Sequence, residues 1–237
     1  MARKPARAKA DDTPAQPTGN DRDRIVAAFM ALLAEKSFER IDLSEIAARA
    51  GVSLGAMRAE FPSTLAIYAA HVKALDRAVL DGGEGDMAEE PPRERLFDVL
   101  MRRIELLAPH KEAVRSLLRS ARRNPGLAFA LNGLAVRSQQ WMLTAADIHA
   151  SGPRGMLRAQ GLALIWARVL RTFVNDDDEG HARTMAELDR ALGRGARLIG
   201  FLDDLCRFVP GRRPRRRRYR DEDRRARDEE GDEFAAA

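Results

Sequence analysis

Residues 41 to 67, IDLSEIAARAGVSLGAMRAEFPSTLAI, constrain the chain more than any other stretch, because their pattern fits two short helices joined by one tight turn. Asp42 stands where a helix N-cap belongs, and Glu45, three residues on, has the spacing to bond back to it as a capping box. Leu43, Ile46, Ala47 and Ala50 then fall on one helical face. Gly51 can take the positive φ with which many helices end, and Ser53 is set to cap a second helix over residues 54–60. This is the layout of a helix-turn-helix, whose second helix enters the major groove of DNA.

The flanks extend the pattern. Ahead of it, Ile25, Ala28, Phe29, Leu32 and Leu33 form one apolar stripe able to pack across the helix pair. Behind it, Phe61-Pro62-Ser63 closes the second helix, and Ser63 caps a long helix from Thr64 to about Leu80. Across residues 22 to 80 the chain resembles the TetR family of bacterial regulators: Ile46, Ala47, Ala50, Gly51, Val52, Ser53, Gly55, Phe61 and Ser63 all fall in that family's register. The resemblance implies a dimer on double-stranded DNA. Ser44, Ser53 and Thr64 would lie near phosphates, and the helix bearing Leu54, Gly55, Ala56, Met57 and Arg58 would lie in the groove. Arg58, Glu60 and Thr64 stand where the family usually has Tyr, an aromatic or His, and Lys. Arg58 is thus the principal basic contact, able to meet a phosphate or a guanine edge.

Charge qualifies this expectation. The net charge is +5, yet residues 1 to 10 carry +4 and residues 211 to 220 carry +7, so the remainder is negative. Within residues 21 to 62 six Lys or Arg face seven Asp or Glu. A neutral reading head must draw its phosphate attraction from local placement, dimerisation or the tails. Both tails, 1–20 and 210–237, have the composition of disordered segments, the first basic, the second Arg-rich and then acidic. The C-terminal one reads as a solvated tail, a nucleic-acid arm or a membrane-surface tether.

The rest of the chain reads as all-α, with few aromatics (5%) and no sustained alternation of polar and apolar residues. A Gly-, acid- and Pro-rich connection separates a helix-turn-helix domain at 21–80 from a helical domain at 93–209. The latter divides into helices over 92–107, up to about 123, 126–149, 154–174, 178–192 and 196–208, which makes about ten in all. Segments such as LIWARVLRTFVNDDDEG and LIGFLDDL are similar to the lipid-binding accessory proteins of ubiquinone biosynthesis, which share the TetR-like fold. That second resemblance implies a small hydrophobic, isoprenoid-like ligand and offers an alternative to DNA regulation. Trp141, Met142, Leu162, Trp166, Leu170 and Phe173 offer apolar surface for plain core, for a dimer face or for a ligand wall.

Asp176, Asp177, Asp178 and Glu179 before His181 read as caps for the next helix rather than as metal ligands. His71, His110, His149 and His181 are scattered and outside any catalytic spacing, and no Gly-rich phosphate loop or nucleophile elbow occurs, so neither an enzyme nor a cofactor is expected. No run of 18 apolar residues and no signal peptide is evident, and Cys206 is the single cysteine. These features lead to the expectation of a cytoplasmic, nucleoid-associated protein.

Overall fold

A computed structural model of the chain describes residues 20–83 and 89–207, with side-chain detail as far as residue 195. The N-terminal arm, most of the acidic connection and the Arg-rich tail lie outside the described residues. Nine α-helices follow in order: α1 Asp21–Glu35, α2 Leu43–Ala50, α3 Leu54–Glu60, α4 Thr64–Asp81, α5 Pro92–Leu107, α6 Lys111–Arg123, α7 Pro125–Ala145, α8 Gly152–Phe173 and α9 Ala182–Arg207. Packing is described for residues 20–198, which form one compact unit.

Helix α1 is capped by Asn20, whose side chain accepts from the Arg22 N–H, and it buries the expected stripe of Ile25, Ala28, Phe29, Leu32 and Leu33. That stripe joins Ile46, Ala47 and Ala50 of α2, Met57 of α3, Phe61 and Ile67 in one apolar cluster. Burying each large side chain contributes about 1.5–3 kcal/mol, enough to fix helices too short to persist alone. Ala113 and Leu117 of α6 and Leu127 of α7 complete the same cluster. Polar bonds fasten that seam: the Ser116 hydroxyl donates to the Lys36 carbonyl at 2.7 Å, and the Phe38 N–H donates to Ser120 Oγ at 3.1 Å.

A second cluster gathers Leu75 and Val79 of α4, Leu96, Leu100 and Ile104 of α5, Met142 and Leu143 of α7, Leu162, Trp166, Val169 and Phe173 of α8, and Leu188 of α9. Helix α4 therefore belongs to both cores. Of the three roles open to the apolar stripe, Met142, Leu162, Trp166 and Phe173 take that of core: they are closed off from solvent and offer no dimer face. Leu170 is half-buried against the same core, whereas Trp141 is 59% exposed.

Two boundaries differ from expectation. Helix α7 stops at Ala145, where Asp147 takes a left-handed φ of 57°. The two helices expected over 178–192 and 196–208 are the single helix α9, which gives nine α-helices among the described residues, close to the expected number of about ten. Gly193 and Gly195 suggest a break in sequence, but a Cβ at 195 would lie 3.0 Å from Ile165 Cδ1. The glycine serves a close approach of α9 to α8, not a turn. The acids before α9 cap it: Asp176 Oδ2 accepts from the Thr184 N–H and hydroxyl at 2.8 and 2.7 Å, and Asp178 Oδ2 accepts from the Ala182 N–H at 3.0 Å.

Candidate nucleic-acid interface

Helices α2 and α3 meet across Gly51, which adopts φ 66° and lets its own N–H and that of Val52 return to the last turn of α2. Ser53 caps α3 by accepting from the Ala56 N–H at 3.1 Å, which leaves its hydroxyl hydrogen free to donate outward. Asp42 caps α2 in a tighter way than the sequence implies. It accepts both the Ser44 N–H at 2.8 Å and the Ser44 hydroxyl at 2.9 Å, and these bonds hold the Asp42 carboxyl below its ordinary range. Glu45 forms no capping box; it pairs with Lys36 instead, because Lys36 at the end of α1 lies within reach of its carboxylate.

The seven residues of α3 divide cleanly. Met57 is 3% exposed and anchors the helix in the core, so its side chain is not available to a partner, contrary to expectation. Leu54, Gly55, Arg58 and Ala59 are exposed, and their spacing puts them on one outward face. Leu54 is 57% exposed and presents its apolar side chain on that face. Ala56 and Thr64 are half-buried, and Ser44 is exposed with its hydroxyl committed to Asp42.

Four of the basic residues in the head are engaged. Arg22 pairs with Glu60 at 3.3 Å and lies over the Phe61 ring, Arg24 pairs with Asp21 at 2.5 Å, Lys36 pairs with Glu45, and Arg49 meets Glu35 through two bonds at 2.7 and 2.8 Å. Arg40 and Arg58 are exposed and stand in no ion pair among the described residues. Arg40 was not singled out in the sequence, since only the folded positions of the carboxylates distinguish it from its engaged neighbours. Glu60 faces Arg22, which offsets the repulsion this acid would bring to a phosphate backbone.

No family model matches the chain. A stretch of 122 residues is 30% identical to the nucleoid occlusion factor SlmA of Shewanella loihica, covering 52% of this chain and 55% of that protein, so the match spans about half of its length. Among solved structures, the TetR transcriptional regulator from Nitrosomonas europaea superposes with a TM-score of 0.59 at 24% identity, over 75% of this chain and 99% of that one. A TetR regulator from Rhodococcus sp. RHA1 gives 0.55 at 24% identity, over 74% and 95%. The chain thus has the fold of the TetR-family transcriptional regulators.

Proposed function

We propose that the protein is a dimeric DNA-binding transcriptional regulator of TetR type, acting as a repressor whose affinity responds to a small hydrophobic ligand. The observation that carries this reading is the outward face of α3, where unpaired Arg58 stands beside exposed Leu54 and Gly55 on a helix anchored inward by Met57. Small residues allow the helix backbone to approach base edges, Arg58 can grip a guanine or a phosphate, and Ser53 and Thr64 can donate to phosphates. Trp141 and the exposed α8 residues Leu157 and Leu164, at 63% and 62%, supply apolar surface for a second copy. A ligand bound beside α4 would alter the spacing of two reading heads, because α4 belongs to both apolar clusters.

Recovery of bound DNA from cells, followed by titration of the enriched sequences, tests the reading. A short, two-fold symmetric site near a responding gene is expected. The partial likeness to a nucleoid occlusion factor supports a second reading, in which the protein binds DNA in the nucleoid without a responding gene. The absence of any enriched sequence would sink both. The comparisons favour a regulator over a lipid-binding accessory protein.

A further inference from the structure

The second core contains a polar cluster that the DNA-binding reading does not use. Arg103 of α5 is only 3% exposed, pairs with Asp76 of α4 at 2.8 Å and lies with its guanidinium carbon 5.0 Å from the centre of the Trp166 ring. The Ser138 hydroxyl of α7 donates to the same Asp76 oxygen at 2.8 Å. The pair leaves most of the guanidinium unclaimed: Nε and Nη1 of Arg103 have no hydrogen-bond partner among the described residues. Beside Ser138, Gln139 is fully buried with neither amide atom bonded, and His71 Nε2 is likewise without a partner. The His71 ring meets that of half-exposed His110 edge-on at 4.8 Å, and it lies near enough to Arg103 to feel that charge.

Buried polar groups in a folded protein are nearly always bonded, and donors with charge are the costliest to leave bare. Here the unclaimed atoms are mostly donors, set in an apolar core that includes Leu100, Ile104 and Trp166. We propose that this cluster binds the carboxylate of a small, largely apolar acid, with Arg103 as the charged anchor and His71 as a second polar contact. Asp76 keeps Nη2 and remains held by Ser138, while the incoming carboxylate takes Nη1 or Nε. One guanidinium already shared with an aspartate suits a monoanion and is too little for a phosphate dianion. The proposal names the effector class for the ligand-responsive regulator above and rests on that reading only for its consequence on DNA.

Trp166 reports on the site without DNA. In a Trp141→Phe background it is the remaining tryptophan, and octanoate and benzoate can be titrated against octanamide and benzamide at fixed pH. The acids should change Trp166 emission saturably, and the amides should bind about tenfold or more weakly, since they lack the charge that strengthens the guanidinium bond. The double variant Asp76→Leu/Arg103→Met removes both charges together and leaves no bare buried ion. It should still melt cooperatively yet lose the response. His71→Phe, which changes no charge near pH 7, provides an independent arm should the double variant fail to fold, and it should weaken the acids severalfold. Equal binding of acids and amides, an acid response unaffected by these substitutions, or no response at millimolar acid would overturn the site. Acid binding that leaves DNA affinity unchanged would keep the site and remove the ligand response from the regulator, whereas specific DNA binding without any acid response would do the reverse.

Discussion

Arg58 bears the discrimination between DNA sequences in the proposed interface, because it is the one basic side chain of α3 and no carboxylate among the described residues holds it. Arg58→Ala should weaken specific binding by about 1–3 kcal/mol and relax preference at the contacted position while helical content stays unchanged. Equal affinity in a titration at fixed salt would remove Arg58 from the mechanism. His71 allows a second test at this scale. Burial, with smaller contributions from His110 and Arg103, holds its imidazole down at about 4, against 6.5 ordinarily. Between these values the unfolded chain binds a proton that the folded chain refuses, so stability should rise with pH across that window and level off above it. The full effect is at most about 3 kcal/mol. His110 is shifted the same way by burial, whereas buried Asp76 is shifted up and contributes the opposite slope just above its ordinary 3.8. Subtracting the melting profile of His71→Phe from that of the parent between about pH 5 and 6.5 isolates the histidine. Parallel profiles would show that His71 does not titrate differently on folding.

Elements were legible in the sequence wherever their limits are set locally. The caps at Asp42, Ser53 and Ser63, the left-handed Gly51 and the stripe of α1 need only neighbouring residues to be recognised, and all of them occur as read. What escaped depends on distant partners. Gly195 lies inside α9 because α8 presses on it, Glu45 leaves its capping role because Lys36 is near, and Met57 turns inward because α1 is there to receive it. The polar cluster around Arg103 escaped for the same reason: the stripe of Leu96, Leu100, Ile104 and Leu107 marks the buried face of α5, but nothing along the chain says that Asp76 and Trp166 meet Arg103 there. Gly155 makes the point testable: a Cβ there would sit 2.1 Å from the backbone carbon of Ala150 and 2.2 Å from its oxygen. Because backbone rather than a flexible side chain must yield, Gly155→Ala should cost about 3 kcal/mol or more. Gly133→Ala in α7, where a Cβ would meet nothing within 4 Å, should instead gain about 0.5–1 kcal/mol from helix propensity. Similar denaturation midpoints for the two variants would contradict the close approach at Ala150.

For the molecule as a whole, the open question is where attraction to a polyanion originates. The head has no surplus of positive charge, and Arg22, Arg24, Lys36 and Arg49 are already paired with acids of the same head. A phosphate approaching any of these must compete with a carboxylate, so each contributes less than a free cation would. The seven arginines within residues 211 to 220 share that ten-residue block with no acid and outweigh, with three more arginines, the eight acids that follow at 221–233. Deleting residues 211–237 should therefore lower non-specific affinity and flatten the dependence of binding on salt, by about 0.9 in the log–log slope for each phosphate no longer neutralised. The ranking of sites should persist, because base recognition remains with α3. Arg58→Ala is the complementary case: it should alter the ranking while changing the slope by about one at most. Measuring both variants over the same salt series separates the two roles, and a slope identical to that of the full chain would show that the basic block makes no contact with DNA.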